Sequence, residues 1–83
     1  MKELRWTNEA IAGLVALGNR ERQILSDILA LVVEFPAMYP ARQRGKFAGF
    51  RYFVLGKRWI VYYRAGEKDV MVLAIVPALS RPR

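Results

Sequence analysis

The spacing of hydrophobic positions changes once along the chain, near Pro36, from a helical period to an alternating one. Before that point, Glu3-Leu4-Arg5-Trp6-Thr7 alternates polar and apolar residues, which predicts a short strand with Leu4 and Trp6 toward a core. Thr7 or Asn8 then serves as an N-cap with Glu9 in the first turn, and Ile11, Leu14 and Val15 recur at helical spacing. Gly18 stands where a left-handed residue would stop this helix, and Asn19 where the next would be capped. So short a link predicts an antiparallel helical hairpin over about residues 8–35. On the second helix Ile24, Leu25, Ile28, Leu29, Val32 and Phe35 form a wide apolar stripe that Pro36 ends. Leu31 and Val33 fall off its centre, and read either as the margin of the core stripe or as contacts for a partner.

From Pro36 to Gly49 no period survives, and the segment reads as a loop. Three runs rich in aromatic and β-branched residues follow, Arg51–Leu55, Arg58–Arg64 and Asp69–Val76, separated by Gly56-Lys57 and by Ala65-Gly66-Glu67-Lys68. Such short connections predict an antiparallel meander. The expected fold class is α+β: an N-terminal strand and an α-helical hairpin packed on an antiparallel sheet, in one domain spanning residues 1–83. Strict alternation puts Trp59, Val61 and Tyr63 on one face and Ile60 and Tyr62 on the other, with Val70, Val72 and Ala74 opposing Met71, Leu73 and Ile75. Both faces are therefore apolar. Two helices cover one of them, so the other is expected to be covered by another chain.

Charge and composition narrow the chemistry. The chain has no Cys and no His, which removes disulfides, thiolate nucleophiles, His-based triads and Cys-bearing zinc sites. Paired carboxylates, a Gly-rich phosphate loop and a metal cluster are also missing from the pattern, so no cofactor and no metal are expected. Residues 1–34 hold four basic against five acidic side chains, whereas residues 35–83 hold ten against two. A field divided in this way points at a polyanion: nucleic acid, an acidic protein segment or an anionic membrane. No apolar run approaches the roughly 20 residues that span a bilayer. Glu3 and Glu9 flank the apolar stretch Ala10–Leu17 and no small-residue cleavage site follows it, so a cytoplasmic location without membrane contact is expected.

The β-α-α-β-β-β order, in a chain of this length, resembles the RelE/ParE superfamily of toxins from bacterial type II toxin-antitoxin modules. Four pieces carry the resemblance, in order: Trp6-Thr7-Asn8-Glu9-Ala10 at the exit of the first strand; Phe35-Pro36-Ala37-Met38-Tyr39-Pro40 running on to Gly49-Phe50-Arg51; Ile60-Val61-Tyr62-Tyr63-Arg64; and Val72-Leu73-Ala74-Ile75-Val76-Pro77-Ala78. The resemblance implies a toxin held in a hetero-oligomer by a cognate acidic antitoxin. It implies a target too: DNA gyrase on the ParE side of the superfamily, or ribosome-bound mRNA, cut as an endoribonuclease, on the RelE side. The first helix is shorter than is usual in the family. The two lysines of RelE-type strands fall here on Tyr52 and Val54, the strand Arg falls near Trp59 beside Arg58, the tail Arg falls near residues 79–81, and no Tyr follows. This departure favours the ParE side.

If the domain cut RNA, cations and a phenol would have to do the work, with Arg51, Arg58, Tyr62, Arg64 and Arg81 as candidates. Arg serves as a bidentate phosphate ligand and is a poor base. Tyr62 and Tyr63 read first as amphipathic sheet side chains with their hydroxyls at the rim. For binding a target or antitoxin the candidates are Arg44, Lys46, Arg51, Arg58, Trp59, Arg64, Arg81 and Arg83. Arg42, Arg44 and Lys46 form the densest basic stretch, and no aromatic residues interleave with them in sequence as they do in single-strand binders, so electrostatic steering is the role expected of them.

Overall fold

A computed structural model of the chain describes residues 2–78. Its elements are β1 (Glu3–Trp6), α1 (Asn8–Val15), α2 (Asn19–Glu34), β2 (Arg51–Leu55), β3 (Trp59–Ala65) and β4 (Asp69–Pro77), and the sheet order is β1-β4-β3-β2. The α+β class and element order agree with expectation. The sheet is not wholly antiparallel, however. β2, β3 and β4 form the predicted meander, but β1 runs parallel to β4, with Leu4 beside Val70 and Trp6 beside Val72. The two reversals of the meander point β4 along β2, and the helical hairpin returns the chain so that β1 lies parallel at the free edge of β4. The outer edge of β2 is already taken at its start. Ala41 bridges Arg51, and the Tyr52 amide donates to the Pro40 carbonyl at 3.1 Å.

Thr7 caps α1 and ties it to the sheet: its Oγ1 accepts from the Ala10 amide (3.0 Å) and donates to the Leu73 carbonyl (2.7 Å). α1 ends at Ala16 in right-handed conformation, and Gly18 is extended at φ −76°, so no left-handed glycine stops the helix. Gly18, not Asn19, is the N-cap of α2. Its amide donates to Glu21 Oε1 at 3.1 Å, while Glu21 Oε2 accepts from Trp59 Nε1 at 3.1 Å, which pins the start of α2 to β3. Arg22 reaches back to the Leu14 and Val15 carbonyls, the unpaired end of α1.

The core lies between the helices and one sheet face. Leu25, Leu29 and Val32 of α2 are buried there against Phe53, Leu55, Val61 and Tyr63. The wide stripe expected on α2 is split, because the sheet lies under only one side of the helix: Ile24 and Phe35 are 37% and 56% exposed, and Leu31 is 49% exposed. Val33 packs on the core margin. At Gly13 the helix approaches β4 so closely that a Cβ would stand 2.6 Å from the Ile75 carbonyl oxygen.

A bulge corrects the alternation expected in β4. Tyr62 pairs with Ala74 but Tyr63 pairs with Val72, leaving Leu73 unpaired. One extra residue exchanges the two faces beyond it, so Ile75 joins Val70 and Val72 in the helix-side core and Ala74 turns to the second face. The second face is also not left bare. The segment after Pro36 folds across it, with the Phe47 ring stacked on Tyr62 at 4.1 Å and 11°, and Tyr62 is only 5% exposed. The chain itself thus covers part of the face for which another chain is expected. Val54, at the far end of β2, remains 53% exposed.

Candidate functional site

Two surfaces stand out, on opposite sides of the sheet. On the second face the segment from Pro40 to Phe50 forms a strap. Its turns need glycine: Gly45 and Gly49 both sit at φ +89°, where other residues are strained. The Arg42 amide donates to the Phe50 carbonyl (2.7 Å) and the Gly49 amide to the Arg42 carbonyl (2.9 Å), closing the strap on itself. Arg42, Lys46 and Phe47 of the strap lie against aromatic rings. The Arg42 guanidinium is 5.6 Å from the Tyr52 ring centroid, Lys46 Nζ is 5.7 Å from that of Phe47, and Tyr52 and Tyr62 are 6.1 Å apart. Arg42, Arg44 and Lys46 are all exposed. The aromatic interleaving that sequence order does not show is thus supplied by β2 and β3. Phe47, directly after Lys46, was the available signal.

The remaining candidates are dispersed. Arg51 lies on the helix side, opposite Tyr63, and donates to the Tyr39 carbonyl at 2.5 Å. Arg64 lies on the second face and pairs with Asp69 at 3.3 Å. Both border a cavity of about 410 Å3 with Pro36, Gly49, Phe50 and Tyr63. Arg58 is exposed in the β2–β3 turn, where its carbonyl accepts from the Ala78 amide. Trp59 is half-buried and its one donor is committed to Glu21. Arg81 and Arg83 lie outside the described residues.

Tyr63 is not at the rim. It is fully buried, and its hydroxyl donates to the Pro36 carbonyl at 2.7 Å. Burial raises its pKa above the usual 10.0, against a smaller lowering by the Arg51 charge, which is the wrong direction for a base near neutral pH. The Tyr62 ring is covered by Phe47. Among the described residues no three carboxylates converge to hold a metal ion, and no helix is long and apolar enough to cross a membrane.

The second surface is an apolar groove between edge strand β1 and α2. Leu4, Trp6, Leu14, Leu25, Leu29 and Val33 line a cavity of about 450 Å3. It adjoins a wider hollow of about 1010 Å3, bordered by Lys2, Lys68, Glu34 and Glu67. Lys2 there donates to the Gly66 and Glu67 carbonyls, at 2.6 and 2.7 Å.

Residues 4–80 match the family model described as the ParE toxin of the type II toxin-antitoxin system, parDE. Among solved structures, the chain is similar to one from the intact E. coli RelBE toxin-antitoxin complex (TM-score 0.78, 21% identity, 96% of this chain and 100% of that one). It is similar to isolated E. coli RelE toxin (0.78, 23%, 98% and 88%) and to a chain of the chromosomal ParDE system of P. aeruginosa (0.58, 22%, 95% and 98%). These identities carry the fold alone. No curated protein matches the chain.

Proposed function

The chain belongs to the ParE toxin family of type II toxin-antitoxin systems, and from that premise we propose that it arrests growth by inhibiting DNA gyrase and that a cognate acidic antitoxin neutralises it. The observation that carries the choice of gyrase over RNA is the make-up of the basic face. It offers cations and ring faces, the chain has no His, and Tyr52 and Val54 stand where the resemblance puts the RelE-type lysines; the buried Tyr63, its pKa raised, lies on the other side of the sheet. Cleaving RNA needs a base for the 2′-hydroxyl; binding a protein target needs only a surface.

For the antitoxin, the groove between β1 and α2 is the favoured seat. Its lining is largely apolar, the charges at its mouth balance (Lys2 and Lys68 with Glu34 and Glu67), and β1 is an edge strand, a combination suited to an amphipathic segment.

The test is a pair of assays on one preparation. Supercoiling inhibition with trapped gyrase cleavage complexes, and intact message in a translating system, is the expected outcome. Message cleavage lost in Arg58→Ala or Tyr62→Phe, with gyrase untouched, would make the protein a ribosome-dependent endoribonuclease instead. For the groove, Val33→Glu should keep growth arrest and lose rescue by the antitoxin; unchanged rescue would move the antitoxin elsewhere.

A further inference from the structure

We propose that the protein pairs with a second copy of itself through the outer flank of α2, the two α2 helices packing antiparallel over the apolar stripe Ile24, Ile28, Leu31 and Phe35. The pairing does not depend on gyrase being the target and can fail or succeed separately from it.

The stripe is apolar where nothing in the described chain covers it. Its residues recur at intervals of four, three and four, which is one side of a helix. Ile24, Leu31 and Phe35 are exposed and Ile28 is half-buried, so three of the seven exposed large hydrophobic side chains among the described residues share this flank. It is not the groove assigned to the antitoxin. Ser26, Ala30 and Val33 line that groove, and each stands two residues from Ile24, Ile28 or Leu31, about 200° around a helix of 3.6 residues per turn. The two surfaces lie on opposite flanks of α2, and a dimer leaves both grooves open.

Charge selects the occupant. α2 carries Arg20 and Arg22 near its start and Asp27 and Glu34 further along, while Glu21 is committed to Gly18 and Trp59. An acidic segment laid along the stripe would meet Asp27 and Glu34 at its border. A second α2 running the other way meets opposite charges instead. A two-fold axis near residues 27 and 28 sets Ile24 against Leu31 of the second copy and Arg20 against its Glu34, twice over, with the helix dipoles opposed. Among the described residues neither Arg20 nor Glu34 has an ion-pair partner within the chain. Asp27 is the like charge near the axis; it is exposed, at the solvent margin of the stripe, and accepts from Gln23 Nε2 at 3.1 Å. Net charge permits the approach as well. Residues 1–34, which include both helices, hold four basic and five acidic side chains, and the strap cations lie across the sheet. Two helical layers therefore meet without the repulsion that the +7 of the whole chain suggests.

One helix pair is a small interface, below about 1,200 Å2 in total, so the dimer should depend on concentration. Sedimentation velocity of the free, full chain over a range of concentrations should show monomer passing to dimer and to nothing larger, because a two-fold contact closes on itself. A chain that stays monomeric at the highest concentration overturns the proposal. Leu31→Glu, verified as folded by circular dichroism, should be monomeric where the parent is dimeric. Val54→Glu, which changes an exposed apolar residue on the other sheet face, should dimerise like the parent. A dimer that survives Leu31→Glu would lie elsewhere on the molecule and would overturn the stripe. The decisive arm is charge exchange. Arg20→Glu alone and Glu34→Arg alone should each weaken dimerisation roughly tenfold, because two attractive pairs per dimer become repulsive, and the double variant Arg20→Glu/Glu34→Arg should return it close to the parent. A double variant no better than the singles would exclude the antiparallel register. Monomer throughout, with rescue by the antitoxin lost in Leu31→Glu, would reassign the stripe to that partner.

Discussion

Replacing Gly13 by alanine sets two effects of opposite sign against each other. In an exposed helix interior the change should stabilise, because alanine is favoured over glycine by about 0.8–1 kcal/mol. Gly13 is not in that situation. The added Cβ would stand 2.6 Å from the Ile75 carbonyl oxygen and 2.7 Å from the Ile75 Cβ. Real carbon contacts do not come so close, and neither atom belongs to a flexible side-chain end. Relief requires α1 to lift off β4, across a contact that also includes buried Ala10 and Ile75. Overpacking of this kind costs about 1–3 kcal/mol. Set against the propensity gain, a net loss of up to about 2 kcal/mol is expected. For a domain of this size each kcal/mol moves Tm by about 4–8 °C. Thermal unfolding followed by circular dichroism should therefore place Gly13→Ala several degrees below the parent chain. Ala12→Gly, one residue away on the exposed side, should lose about 1 kcal/mol from propensity alone. A Tm that rises in Gly13→Ala would mean that helix propensity governs the site and that α1 is not seated on Ile75 as described.

Tyr63→Phe removes the hydroxyl that satisfies the Pro36 carbonyl and should cost about 1–2 kcal/mol, read as a lower urea midpoint near pH 8. Because the folded pKa of Tyr63 lies above the unfolded value of 10.0, its contribution is fully present below pH 10 and is lost as pH rises through the folded value. The gap between parent and Tyr63→Phe should accordingly narrow above pH 10, and a gap that widens there would contradict the assignment. Trp59→Phe should lose about 1–2 kcal/mol through the Glu21 hydrogen bond, and Glu21→Gln should recover part of the difference between the two side chains in a double-mutant cycle. Thr7→Ala should cost about 1–2 kcal/mol, since one hydroxyl both caps α1 and bonds the Leu73 carbonyl at the bulge; a change indistinguishable from zero in urea melts would deny it that role.

Element types and their order were legible in the chain because each rests on local chemistry. Thr7 before an apolar period, Pro36 after one, and the turns at Gly56-Lys57 and Gly66 mark boundaries without reference to anything distant. The same text carries the resemblance that the family match bears out over residues 4–80. Charge segregation was equally plain, since it requires only counting. What tertiary structure decided is which side chains meet. The parallel placement of β1 follows from how the helical hairpin returns the chain. The bulge at Leu73 turns on where the β3–β4 ladder slips, and moves Ile75 into the core and Ala74 out of it. The split of the α2 stripe depends on where the sheet lies beneath that helix. Most of all, the strap residues are separated in sequence from the rings of Tyr52 and Tyr62 that they rest on, so a basic loop and two strand tyrosines become one surface only when the chain folds back across its own sheet. Periodicity reports the faces of single elements; contacts between a loop and a sheet face have no period to report.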